Sequence, residues 1–315
     1  MRIALEEHFV IDDPAHVERW RTLVPWIPEN QISKIKQPLS DVGEERIAAM
    51  AQAGIDFAVL SNVATVQGQL NARIAMKMAR EANDHLAKAV QAHPRHFAGF
   101  ATVPLQDASA GAAEFERAVR DLGMKGALII GQTDGAYLDE DRFTPFWEIA
   151  QALDAPIYLH AADASVHPAT YAGRPELEGA TWSWTAETAA HALRIIFGGV
   201  FTRFPKARLI LGHMGETLPY LLWRLDKRSQ AFAGQDTVKP STILRRNIAI
   251  TTAGTFSDDP LICALKALGE DSVMFSVDHP FEDMKEASRW LDAAPIDAAA
   301  REKVSSGNAR RILKL

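Results

Sequence analysis

The chain has 315 residues, 47% of them apolar and 23% charged, with a formal net charge of −6. This is the balance of an ordinary globular protein with a large core, and the negative charge argues against nucleic acid or an anionic membrane as partner. One cysteine, Cys263, rules out an intramolecular disulfide and falls in an apolar run that suits a buried thiol.

Taken in order, short apolar runs recur and most are followed by a helical pattern. A strand over 3–5 runs into Glu6-Glu7-His8. A long connection over 9–42, with Trp20, Trp26, Pro25, Pro28 and Pro38, reads as a wall or lid, and a helix over 44–53 stops at Gly54. The run FAVL at 57–60 leads to an Ala-rich helix over 69–92, FAGFATV at 97–103 to a helix over 108–122, and ALII at 127–130 to a helix over 146–153. The run at 157–159 ends in His160, followed by a second long connection over 161–181 and a helix over 184–197. The run at 209–211 precedes Gly212-His213 and a helix over 218–232, and the run at 248–250 precedes a Thr pair and a helix over 260–268. The last run, 273–277, precedes Asp278, and helices over 284–291 and 296–313 close the chain.

Runs this short and continuously apolar suit strands buried on both faces. Eight strands alternating with helices give a barrel or a doubly wound sheet. The absence of GxGxxG after the first strand removes the best sign of a dinucleotide-binding sheet. No low-complexity segment or linker divides the sequence, so the expectation is one domain over 1–315, an α/β fold of the (β/α)8 TIM-barrel type. The N-terminus shows acidic residues and no apolar leader, and no apolar stretch approaches the ~20 residues that span a bilayer. The expected location is the cytoplasm.

The chemistry gathers at strand ends. Side chains alternate along a strand, so Glu6 and His8 share one face and Glu7 takes the other. His160, His213 and Asp278 end three further strands, and in a closed barrel such ends meet at one mouth. Carboxylate, imidazole, imidazole and carboxylate together suit one divalent transition ion with positions left for water or substrate. Glu187 and His191, four apart on a helix, read as an ordinary helix-face pair, and Trp184, Trp223 and Trp290 as core or interface residues.

These residues sit in blocks that resemble the amidohydrolase superfamily, and within it the branch of γ-resorcylate, 2,3-dihydroxybenzoate, 5-carboxyvanillate and aminocarboxymuconate semialdehyde decarboxylases. The resemblance runs from ALEEHF at 4–9 through PLQD at 104–107, DLGMKGAL at 121–128, IYLH at 157–160 and ETAAHALR at 187–194. It continues through LILGHMGETLPYLLWRLD at 209–226 and FSVDHPFE at 275–282 to NARRILKL at 308–315. It implies a metal-dependent hydrolase type of TIM barrel in which Glu6, His8, His160 and Asp278 hold the ion. His213 and Glu216 then form the catalytic pair, with Asp278 as a further catalytic group. The spacing of His213 and Glu216 suggests a carboxylate one helical turn away that holds the imidazole's tautomer. Glu-x-His at strand one, where hydrolase branches carry His-x-His, points to a decarboxylase. The lack of a lysine at the end of strand four points to a single ion.

The chain departs from the resorcylate enzymes at Ile129-Ile130-Gly131, at Ala161-Ala162 after His160, and at His279 after Asp278. These positions leave the ligand set intact and leave open which aromatic acid fits. Arg224, His279 and Phe281 are the expected substrate-facing residues. The expected function is non-oxidative decarboxylation of a hydroxylated aromatic carboxylic acid by protonation of the ring carbon. It would need one Zn2+ or Mn2+, no organic cofactor and a homodimeric or homotetrameric assembly. The same ligands also support a hydrolase acting on a lactone or cyclic amide through an activated water.

Overall fold

The computed structural model describes every residue except 26, 69, 70 and 234–237. Trp26, the first two positions of the helix read over 69–92, and 234–237 therefore lie outside the described residues. Among those described, the strands are β1 (Ile3–Phe9), β2 (Phe57–Asn62), β3 (Phe97–Gly99), β4 (Ala101–Thr102), β5 (Ala127–Ile130), β6 (Ile157–His160), β7 (Leu209–Leu211), β8 (Ile248–Thr251) and β9 (Val273–Met274). All neighbours pair in parallel, in the order β1-β2-β3 and β4 through β9. The run read as one strand over 97–103 is broken at Phe100, whose N–H turns back to Leu60 O at 2.9 Å and joins the two sheets. At the other seam His8 N donates to His279 O at 2.8 Å. The sheet thus closes into a barrel.

The interior follows the two-residue period of the strands. Ile3, Leu5, Val59, Phe100, Leu128, Tyr158, Ile210, Ala249 and Met274 pack inside, joined by Ala309, Ile312 and Leu313 of the C-terminal helix. Their neighbours, such as Ala58, Ile129, Ile157, Leu159, Leu209 and Ile250, face the helical layer. The last strand is shorter than its apolar run suggests. Only Val273 and Met274 pair as strand, and the chain beyond them is fastened by Thr252 Oγ1 and by single backbone bonds such as Gly254 N to Val277 O at 3.1 Å.

The connection over 9–42 differs most from its reading. It holds two helices, α1 (Pro14–Leu23) and α2 (Glu29–Ser40). Asp13 caps α1 by accepting from Ala15 N, and Pro14 opens its first turn. The two helices build their own small core from Trp20, Val24, Ile32 and Leu39, packed against Val10 and Val63 and bordered by Trp184 and Phe281. They form a packed cover over the C-terminal mouth. The helix α3 (Glu44–Gln52) then starts the regular alternation with α4 (Ala72–Ala92), α5 (Ala108–Arg120), α6 (Thr144–Leu153), α7 (Ser183–Phe197), α8 (Val200–Arg203) and α9 (Leu218–Ala233). A further helix, α10 (Pro240–Asn247), stands where only a connection was read, opened by Pro240 at its first position. The helices α11 (Asp258–Leu268) and α12 (Met284–Ala293) follow. The closing helix of 298–313 runs through a π turn at Lys303–Gly307.

Candidate metal centre and catalytic site

A bulge aims the first ligand. Ile3 and Leu5 point into the barrel and Ala4 points out, so strict alternation would turn Glu6 outward. The register of β1 on β2 slips between Ala4 and Glu7, which brings Glu6 inward beside His8 and leaves Glu7 outside. One side chain secures the slip. Leu5 N and Glu6 N both donate to Ser276 Oγ, at 3.3 and 2.6 Å. Ser276 Oγ in turn donates to Glu7 Oε1 at 3.3 Å, and Val277 N donates to the same oxygen at 2.9 Å. Burial pushes the Glu7 carboxyl up to about 8, against the pull of the Val277 N–H.

Glu6, His8, His160 and Asp278 each bring a ligand atom within 4.8 Å of the others. His8 Nε2 lies 3.0 Å from Asp278 Oδ1 and 3.2 Å from His160 Nε2, and His160 Nε2 lies 3.5 Å from Glu6 Oε1. The far sides of both rings are engaged. His160 Nδ1 is 2.7 Å from Ala161 O and must donate to it, which leaves Nε2 as a lone pair. His8 Nδ1 is 3.0 Å from Ser61 Oγ. Glu6 Oε1 is buried with no hydrogen-bond partner. An orphaned carboxylate oxygen and an imidazole lone pair turned toward one point are what a divalent cation satisfies, so the residues present fit the group. Burial raises Glu6 to about 7 and lowers His160 to about 3, the latter with help from His8.

His213 stands beside this set without joining it. Its Nε2 is 3.7 Å from Asp278 Oδ2, and its Nδ1 is 2.7 Å from Glu216 Oε1. The pair does not use a turn of α-helix. His213, Met214, Gly215, Glu216 and Thr217 all have positive φ, between 47° and 76°, so the segment coils left-handed. Such backbone costs of order 1–3 kcal/mol at each non-glycine residue and persists only where the surroundings impose it. Burial opposes a charge on His213, but Glu216, Glu6 and Asp278 together hold its imidazole well above the ordinary histidine value. Asp278 is itself held below the usual carboxylate range. Burial works against this, and the neighbouring His213 and His8 outweigh it.

The walls come from several elements. Phe281 lies near His8, 5.9 Å between ring centroids, and Trp184 near His160 at 6.4 Å. Trp184 donates to Asp163 Oδ2 at 3.0 Å, so this tryptophan, read as core or interface, borders the ligands. Beyond His213 opens a cavity of about 610 Å³ lined by Met214, Thr217, Tyr220, Thr255 and Cys263. On the other side of the mouth Arg19, Thr65, Gln132, Ile130 and Ala162 line a more polar cavity of about 550 Å³.

The remaining candidates spread out. His279 lies half-buried in a cleft of about 490 Å³ with Pro38, Gln52 and Glu282, and its carbonyl serves the barrel seam. Arg224 stands exposed on α9, outside the ligand cluster. Asp226 is occupied by Ser241 N and Oγ at 2.9 and 2.6 Å. Glu187 and His191 form no metal pair: Glu187 accepts from Tyr137 at 2.6 Å, and His191 Nε2 accepts from Leu138 N at 2.9 Å. Ser276, Ser61 and Tyr158 escaped the sequence reading. For Tyr158 the signal was there, since alternation along β6 places it inside, one layer beneath His160.

Three comparisons bear on this arrangement. The pattern of a family described as Amidohydrolase matches residues 14–315. A γ-resorcylate decarboxylase of Polaromonas sp. strain JS666 is 37% identical over 327 residues, covering 100% of this chain and 98% of that one. Its alignment includes Glu6 and His8, which precede the family match. The crystal structure of a 2,6-dihydroxybenzoate decarboxylase complexed with 2,6-dihydroxybenzoate superposes with a TM-score of 0.92 at 38% identity, covering 100% of this chain and 99% of that one. A dihydroxybenzoic acid decarboxylase from Polaromonas sp. JS666, with bound manganese and the inhibitor 2-nitroresorcinol, gives 0.93 at 37% identity, with 100% and 97% covered.

Proposed function

This chain belongs to the amidohydrolase family, and on that footing we propose that it is a metal-dependent decarboxylase of a hydroxylated aromatic carboxylic acid. The observation that carries the reading is the double placement of Asp278, with one oxygen 3.0 Å from His8 in the ligand set and the other 3.7 Å from His213. Glu6, His8, His160 and Asp278 hold one divalent cation, Mn2+ or Zn2+. When bound, the cation supplies an electropositive anchor for a carboxylate and an adjacent hydroxyl of the substrate.

The chain's own residues then handle the proton. Glu216 fixes the Nδ1 side of His213 and favours its protonated form, the source of the proton in this scheme. That proton passes by way of Asp278 to the ring carbon bearing the carboxylate. The bond from that carbon to the carboxylate breaks, its electron pair restores the aromatic ring, and CO2 leaves. Phe281 and Trp184 wall the ring, while His279, two residues before Phe281, faces the neighbouring cleft with Pro38 and Gln52. We read the chain as one domain over 1–315, working in the cytoplasm as a homodimer or homotetramer. Tyr220 and Trp223, one turn apart, leave an exposed aromatic face on α9 that a second copy would cover, and Arg224 belongs to that face.

Isotopes test the chemistry. Turnover of a hydroxybenzoate panel in D2O should place one deuterium on the former carboxylate-bearing carbon, and turnover in H2(18)O should leave the aromatic product unlabelled. Stoichiometric 18O in a ring-opened acid, with no CO2 evolved, would instead identify a hydrolase of a lactone or cyclic amide.

A further inference from the structure

The two oxygens of Glu6 have unlike surroundings. Oε1 is buried and without a hydrogen-bond partner, and faces His160 Nε2 at 3.5 Å. Oε2 is enclosed. Tyr158 Oη donates to it, and Tyr158 Oη lies 2.7 Å from Thr251 Oγ1. The tyrosine's single proton goes to the carboxylate, so the threonine must be the donor to the tyrosine oxygen. Gly212 completes the enclosure. A Cβ there would sit 2.6 Å from Glu6 Oε2 and 3.3 Å from Tyr158 Oη. Tyr158, Gly212 and Thr251 come from three consecutive strands or the residue directly after one, all on the inward face, and Glu6, Tyr158 and Thr251 are fully buried.

From this geometry we infer that Tyr158, backed by Thr251, is a positioning residue that holds Glu6 Oε2 away from the cation site, presents Oε1 to it and thereby sets metal affinity. Buried tyrosine hydroxyls need a partner. Here the partner is a ligand carboxylate whose rotation would otherwise be free to offer either oxygen. Partners behind a ligand typically change metal affinity by about 10- to 100-fold when removed. The inference concerns ion binding and does not depend on which aromatic acid is turned over.

The test is titration of metal-stripped protein with Mn2+, read by the electron paramagnetic resonance signal of the free ion. Tyr158→Phe should raise the Mn2+ dissociation constant about 10- to 100-fold, while melting in chelator shows an intact fold. A double-mutant cycle separates positioning from general packing: in a Glu6→Gln background, adding Tyr158→Phe should change the constant little further. An equal loss in both backgrounds, or an unchanged constant in Tyr158→Phe alone, overturns the inference. If Tyr158→Phe fails to fold, Thr251→Val decides. A weakened Mn2+ constant supports the assignment, and a wild-type constant overturns it.

Discussion

His213 Nδ1 lies 2.7 Å from Glu216 Oε1 across backbone that coils left-handed, where a spacing of three suggests a turn of right-handed helix. Its function is testable through pH. Glu216 raises the His213 pKa, and the protonated ring is the donor, so activity falls as pH rises through that value. Glu216→Gln should therefore move the alkaline limb of the kcat profile to lower pH. His213→Asn should retain the ion and lose about 10²-fold or more in kcat. A folded His213→Asn with near-normal turnover would remove this residue from the mechanism.

Elemental analysis should find about one divalent ion per chain, because one group of four residues able to hold an ion is present among the described residues. Removing the ion should lower the melting temperature. Returning it at a hundredfold excess over its dissociation constant should restore about 2.7 kcal/mol. Two ions per chain, or melting indifferent to the ion, would contradict the centre as described.

Ser276→Ala takes away the acceptor shared by Leu5 N and Glu6 N. Buried donors left unmatched cost about 1–3 kcal/mol each, so denaturant unfolding of the metal-free protein should show a loss of that order. The slip in β1 should relax with it, and metal binding should weaken. Unchanged stability and affinity would mean that the bulge holds without this hydroxyl.

His191 is buried, accepts from Leu138 N, and is depressed by burial from 6.5 to about 3. The sign follows from the lowered value. The folded state prefers the neutral ring, so this contribution is complete above pH 6.5 and is lost as pH falls toward 3. His191→Gln keeps an acceptor but does not titrate. Its unfolding free energy should fall less than that of the wild type between pH 7 and pH 4. Parallel curves would count against the assignment.

The exposed face of α9 predicts association. Trp223 is 73% exposed and Tyr220 82%. Patches of this kind on soluble proteins mark interaction sites. Trp223→Glu should shift sedimentation toward a smaller species, and a wild-type protein that sediments as a monomer would refute the assembly.

The cluster of Glu6, His8, His160 and Asp278 was legible in the sequence because an ionisable side chain at the end of a continuously apolar run is costly to bury unless something there binds it. The barrel was legible through the strand runs and the helices between them. What sequence missed was local geometry. Glu6-x-His8 says that two side chains share a face but not which face, and the slip beside Ala4 decides that. His213 and Glu216 suggest a helical neighbour pair, and only the backbone dihedrals reveal the opposite hand. The helices α1 and α2 were hidden by three prolines, although Asp13-Pro14 is a sound start signal and Pro38 is tolerated near the end of α2.

The barrel seam bears on how such a protein is made. Glu6 reaches across to Ser276, 270 positions later, and Asp278 follows directly on that far side. The first strand leaves the ribosome long before its counterpart exists, so Glu6 and His8 meet Ser61, Tyr158 and His160 well before Asp278 completes the cluster. Contacts of such long range form late. Loading of the ion therefore reports a finished barrel, because a chain cut short before its last strand keeps Glu6, His8 and His160 but lacks Asp278.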